Sequence, residues 1–139
     1  MKILLAVDGS DYTRRALDYV LAHDWLRTAP SITVFTAVPP LPHRAAALAG
    51  PDITHRYYED DAQLALRPAR ERLEAAGVEA RYEWVLGHAG DAIARKADKE
   101  EFDLVVMGSH GHGAFANVVL GSVATRVLAG CAAPVLLIR

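Results

Sequence analysis

A chain of 139 residues, 52% hydrophobic and 23% charged, is long enough for one packed core and too apolar to be disordered. A formal net charge of −2 and an isoelectric point of about 6.3 argue against a nucleic-acid-binding surface, which would be strongly basic. The single cysteine, Cys131, cannot close an internal disulfide and suits a reducing compartment. The opening run Met1 to Val7 breaks at Asp8, too soon for a signal peptide or membrane span. No targeting segment is visible, so the cytoplasm is the expected location, with no membrane partner.

Ile3 to Val7 is a continuous apolar run bounded by Asp8-Gly9-Ser10, which predicts a strand buried on both faces. Thr13, Ala16, Leu17, Val20 and Leu21 then recur at helical spacing. After Pro30-Ser31, the β-branched run Ile32 to Val38 predicts a second strand. Pro39, Pro40 and Pro42 end it, and Leu41 to Asp52 reads as a loop. Ile53 to Ala76 is helical in pattern and stops at Gly77, a natural terminator. Pro68 lies inside it, where proline costs roughly 3 kcal/mol, so a kink or two abutting helices are expected.

Val78 to Leu86, with Tyr82, Trp84 and Val85, predicts the third strand. Gly87 to Gly90 is a turn, and Asp91 is a candidate cap for a helix reaching about Lys99. Leu104 to Met107 is a second short apolar run, followed by a loop from Gly108 to about Asn117. Ser122 to Ala129 predicts a helix that stops at Gly130, and Pro134 to Ile138 the last strand. Repeats, linkers and low-complexity tracts are missing, so residues 1–139 are expected to form one domain.

Strands alternating with helices imply an α/β fold with a parallel sheet covered on both faces. Right-handed crossovers restrict this to a doubly wound, Rossmann-like arrangement. With five strands in the order 3-2-1-4-5, the winding reverses between the first and fourth. Ligands bind at such reversals, beyond the carboxyl ends of the strands. Asp8-Gly9-Ser10 and Gly108-Ser109-His110-Gly111 are the loops expected to meet there.

Gly108, Gly111, Gly113 and Gly121 lie between a strand and a helix. Glycines let backbone N–H groups approach a phosphate closely, and the helix beginning near Ser122 adds free donors and the positive end of its dipole. The same glycines also serve a loop that merely turns, and the pattern alone leaves both readings open. No lysine or arginine occurs between Gly108 and Arg126, so phosphates there depend on backbone donors. The segment is not a Walker A loop, not the dinucleotide fingerprint, and not a hydrolase elbow, because Met107 stands where the elbow's first glycine belongs.

Gly108-x-x-Gly111, nine residues, then Gly121-Ser122 resembles the G-2x-G-9x-G-[S/T] signature of the ATP-binding universal stress proteins. The resemblance extends along the whole chain. It includes Ile3 to Ser10, the turn Gly87-His88-Ala89-Gly90-Asp91-Ala92-Ile93, Asp103 to Gly111, and Pro134 to Ile138. It implies that Gly108, Gly111, Gly121 and Ser122 hold phosphates and ribose, flanked by Met107 and Val123. It implies Ala6 and Ala37 bordering adenine with Val38 nearby, Val7 among the nucleotide-binding positions, and Asp8 near the phosphates with Mg2+. ATP, or ADP or AMP, is the implied ligand. Arg44 and His43 belong to the 39–52 stretch that varies in the family.

Asp8 has a second reading, as a cap for the first helix. His110 and His112 lie two apart without a third ligand in evidence, so phosphate-side or solvent-facing positions are expected before a metal. Trp25 and Trp84 read as core or interface anchors, Cys131 as a packing residue, and Glu59-Asp60-Asp61 as a solvated helix face. A nucleotide-dependent regulator or sensor of the stress response, acting through conformation or contact with a protein partner, is the leading expectation. A slow ATPase and a dimeric interaction module without nucleotide are the alternatives. The apolar final strand ends at Arg139 with no further residues to cover it, which predicts a homodimer through that edge.

Overall fold

The computed structural model describes residues 1–113 and 117–139. Of the loop expected from Gly108 to about Asn117, residues 114–116 therefore lie outside the described residues. The elements in chain order are β1 (Lys2–Ala6), α1 (Asp11–Ala22), α2 (Asp24–Arg27), β2 (Ser31–Val38), α3 (His43–Ala49), α4 (Pro51–Ala75), β3 (Arg81–Leu86), α5 (Ala89–Lys99), β4 (Leu104–Gly108), α6 (Ser122–Gly130) and β5 (Val135–Ile138). The strands form one five-stranded sheet in the order β3-β2-β1-β4-β5, with every pairing parallel. The doubly wound α/β expectation therefore holds, with its 3-2-1-4-5 order.

The physical cause lies in the strands. β1 and β4 occupy the centre, and Leu4, Leu5, Val105 and Val106 are fully buried because helices cover both faces. Alternation of side chains sorts β1 into two cores. Ile3 and Leu5 join Leu17, Val20, Leu66 and Leu73 from α1 and α4. Leu4 and Ala6 join Ile93, Ala97 and Val127 from α5 and α6. Each fully buried aliphatic side chain stabilises the fold by about 1.5–3 kcal/mol relative to exposure. The half-buried Lys96 ammonium ties α5 to β3, donating to Glu83 Oε2 at 2.5 Å and to Glu100 Oε1 at 2.7 Å. Burial alone would lower its pKa, but its hydrogen bonds to Glu100 and Glu83 hold it above the usual lysine value. No helix among the described residues is long and apolar enough to cross a membrane.

Several local expectations are corrected. The stretch 41–52 is not simply a loop, because His43–Ala49 forms α3. Pro42 stands at its start and Gly50, at φ +83°, at its end, so residues that read as loop punctuation bracket an alanine-rich helical turn. Pro68 neither splits α4 nor ends it, since one helix runs from Pro51 to Ala75. Pro68 is on the exposed side, while Leu66, Ala69 and Leu73 anchor the helix to the core on either side of it. Asp91 is not a cap. α5 starts at Ala89, two residues earlier, and the Asp91 carboxylate instead accepts from Arg126 Nε at 2.6 Å. Trp25 is 50% exposed and is not a core anchor, whereas Trp84 packs partly buried against the core. Cys131 is half-buried among apolar side chains. Gly77, at φ +71°, does terminate α4, with Gly77 N–H bonded to the Glu74 carbonyl and Val78 N–H to that of Leu73.

Candidate functional site

Two strand ends build the site. Val7 N–H donates to the Phe35 carbonyl at 2.9 Å, which extends the β1–β2 pairing by one residue before the chain leaves the sheet at Asp8. Gly9 then turns with φ +78°, a conformation that favours glycine. Ser10 caps α1, its Oγ accepting from Thr13 N–H at 3.4 Å. Asp8 is therefore not the helix cap, but its carboxylate is built into the same turn. Oδ1 accepts from Ser10 N–H at 2.9 Å and from the Thr13 hydroxyl at 2.8 Å, and Asp8 N–H donates back to that hydroxyl at 3.0 Å. The other oxygen, Oδ2, points across the crevice. A Cβ added to Gly111 would stand 2.6 Å from it.

The loop after β4 works differently. A Cβ on Gly108 would stand 2.6 Å from Tyr12 Cβ and 3.1 Å from the Tyr12 carbonyl carbon. Glycine at 108 is thus required by the approach of α1, independently of any ligand. Gly121 N–H donates to the Ser109 carbonyl at 2.8 Å, and a Cβ there would stand 2.9 Å from that same oxygen. Gly121 accordingly closes the loop's neck, and its amide is already used. The donors left at the mouth of α6 belong to Ser122 and the residues after it in the first turn. Among the described residues, nothing accepts from the amides of residues 110–113.

The histidines are held in place. His110 Nε2 lies 2.7 Å from the Val118 carbonyl, which can only accept, so Nε2 carries the proton. Nδ1 shares a hydrogen bond with the Ser109 hydroxyl at 2.9 Å, and the ring rests against Tyr12 with centroids 5.0 Å apart. His112 Nε2 lies 2.8 Å from the Asp8 carbonyl, a contact that joins the two loops directly. Both rings are engaged with protein groups. Among the described residues, no three histidine, cysteine or acidic side chains gather as a metal cluster.

Between the loops lies a cavity of about 400 Å3, within the range of small-molecule sites. Twelve of the thirteen sequence-predicted site residues line it. Ala6, Val7, Asp8 and Ala37 come from the β1 and β2 ends. Met107, Gly108, His110, Gly111 and His112 come from β4 and its loop, and Gly121, Ser122 and Val123 from the start of α6. Val38 is the exception and does not line it. It is buried at 2% exposure against Tyr58 and Ala62 of α4. His43 and Arg44 are exposed on α3 and do not line the cavity.

Thr13, Thr36, Ala89 and Ile93 line the cavity without having been singled out. Ala89 and Ile93 belong to the Gly87–Ile93 segment quoted for the family resemblance, and Thr13 follows Asp8 by five residues at the first turn of α1. Those spacings were the available signals. Among the described residues no lysine or arginine lines the cavity, and Asp8 is its one carboxylate. Chemically, the site is an apolar slot that opens onto backbone donors and one anionic oxygen.

The universal stress protein family model matches residues 1–139. A universal stress protein of Thermus aquaticus is 34% identical over 146 residues, covering 99% of this chain and 97% of its own length. One from Synechocystis is 30% identical, but this chain spans only 42% of that protein's length. Among solved structures, a universal stress protein in complex with cAMP is 28% identical with a TM-score of 0.67, covering 100% of this chain and 96% of its own. That of the Archaeoglobus fulgidus protein in complex with dAMP is 25% identical with a TM-score of 0.68, covering 100% and 98%. The sheet order, the paired loops and a family match along the full sequence agree, and the chain belongs to the universal stress protein family.

Proposed function

We propose that this chain binds ATP together with Mg2+ in the crevice between the Asp8 turn and the loop from Gly108 to Ser122. On this reading it serves as a nucleotide-dependent regulator or sensor in a stress response. One observation carries the reading: a ligand-facing carboxylate oxygen stands opposite a run of backbone amides that nothing described accepts from. Phosphate oxygens are acceptors and suit such amides and the N-terminus of α6. Phosphate and the Asp8 carboxylate repel each other, so a divalent cation between them reconciles the two anions. A carboxylate oxygen is the hard ligand that Mg2+ takes alongside phosphates and water. Ala6, Ala37, Ala89 and Ile93 offer the opposite end of the slot to a flat apolar base. The cAMP and dAMP held by the two solved relatives support an adenine nucleotide, and ADP or AMP would use the same base and ribose positions.

Regulation is favoured over catalysis by what surrounds the phosphate end. Hydrolysis needs an oriented water and charge stabilisation on the transferred phosphoryl group. His110 has both ring nitrogens engaged, and Nε2 of His112 is directed at the Asp8 carbonyl. Slow hydrolysis or none is the expectation. Homodimerisation through β5 is part of the same proposal. Val135–Ile138 is an apolar, half-buried edge strand, and a second copy pairing about a two-fold axis would satisfy its open backbone groups. Sedimentation at micromolar concentration tests it, and a monomer would refute it.

Isothermal titration with ATP, ADP and AMP, each with and without Mg2+, tests the nucleotide reading. Saturable binding of ATP that strengthens with Mg2+ is expected. Failure of all three nucleotides to bind at millimolar concentration would leave the interaction-module alternative in its place.

A further inference from the structure

We propose that Thr13 is a positioning residue that decides which oxygen of Asp8 faces the ligand. The inference rests on the nucleotide reading above and assigns a role to a residue that does not itself need to touch the ligand. Thr13 is 6% exposed and sits in the first turn of α1, so its side chain has a fixed backbone beneath it. Its hydroxyl accepts from Asp8 N–H at 3.0 Å. The one hydroxyl proton is therefore left for Asp8 Oδ1, which it meets at 2.8 Å. Ser10 N–H adds a second donor to the same oxygen at 2.9 Å.

A carboxylate is symmetric about its terminal torsion, and alone it presents either oxygen to its surroundings. Two donors on Oδ1 remove that freedom. Oδ2 then has no partner among the described residues and faces the position where Gly111 lacks a side chain. The hydroxyl thus does two things at once. It withdraws one carboxylate oxygen into the turn, and it ties the Asp8 backbone to α1 so that the other oxygen is presented from a rigid element. Supporting groups of this kind commonly change the affinity of a metal site by ten- to a hundredfold when removed.

The test compares Thr13→Val with the parent protein, by titration with ATP in the presence and absence of Mg2+. Valine keeps the volume and removes both the donor and the acceptor. The ratio of the two affinities, with and without Mg2+, should fall on the order of tenfold, whatever the change in Mg2+-free binding. Thr13→Ser, which keeps the hydroxyl, should restore the ratio. Thr13→Ala, which removes the hydroxyl without adding a methyl group, should behave as Thr13→Val, so that misfolding of either variant does not decide the matter. In an Asp8→Asn background, Thr13→Val should have no further effect on the ratio, because the oxygen it positions has lost its charge.

A merely structural Thr13 would lower thermal stability and weaken ATP binding equally with and without Mg2+, and that result would overturn the proposal. An unchanged ratio in both hydroxyl-free variants would overturn it too. If the parent binds no nucleotide, the parent reading fails first and this one with it. If the parent binds ATP without any Mg2+ dependence, the nucleotide reading stands and the role of Thr13 falls.

Discussion

The two loops that meet over the centre of the sheet are built on opposite plans. The turn after β1 presents a side chain. It is short and braced by its own groups: Ser10 caps α1, Thr13 and Ser10 N–H share Asp8 Oδ1, and Gly9 supplies the left-handed turn. The loop after β4 presents backbone. Its glycines remove side chains where the chain must pass close to Tyr12, Asp8 and Ser109, and amides between residues 110 and 113 are left without described acceptors. A charge can be aimed only by buried supporting groups, whereas a row of amides can be exposed only by clearing side chains away. His112, reaching the Asp8 carbonyl, is the described side-chain hydrogen bond that joins the two designs.

Substitutions that convert one plan into the other should have the largest effect. Gly111→Val puts a side chain into the backbone-presenting loop. Its Cβ would stand 2.6 Å from Asp8 Oδ2, and that carboxylate cannot simply swing aside because Oδ1 is pinned. ATP affinity by isothermal titration should fall on the order of a hundredfold, with the circular dichroism spectrum unchanged. Unimpaired binding would remove Gly111 from the site. Asp8→Asn keeps the shape of the other loop and removes its charge. The Mg2+ enhancement of ATP binding should drop by roughly tenfold, and an enhancement equal to the parent's would take Asp8 away from the cation.

The smallest effect is expected at the bond between the loops. His112→Ala removes one exposed hydrogen bond, worth about 1 kcal/mol or less. Stopped-flow dissociation of a fluorescent ATP analogue should quicken by roughly two- to fivefold. His112→Gln, which can again donate to the Asp8 carbonyl, should recover most of the parent rate. Equal rates in all three proteins would mean that the loops are held together by something else.

The sheet was legible in the sequence because strands buried on both faces must be continuous apolar runs, and Ile3 to Val7 and Leu104 to Met107 have no other reading at that length. The Asp8-Gly9-Ser10 turn was legible as the end of such a run, whereas the glycine spacing was read through its resemblance to a known signature, because the pattern alone suits a plain turn as well. What was missed depends on tertiary packing. Val38 belongs with Tyr58 and Ala62, a choice made by the packing of α4 against β2 rather than by its position at a strand end. Gly108 lines the cavity as expected, but the approach of Tyr12, which also demands glycine there, was not visible in the spacing. Gly121 reads as a phosphate donor, yet its amide is bonded to Ser109. Thr13 looked like one more residue on the buried stripe of α1, and its hydroxyl acquires a role only when Asp8 folds back onto the helix. The helix α3 hid between Pro42 and Gly50, the residues that suggested a loop.

Backbone amide shifts followed by 15N NMR during an ATP and Mg2+ titration most directly test whether the crevice between these loops is the nucleotide site. The amides of Asp8, Gly111, His112 and Ser122 should move together and saturate at one common affinity. Shifts confined to the concavity at the opposite end of the sheet, around Gly77, Arg81 and Tyr82, or no saturable shifts at all, would contradict it.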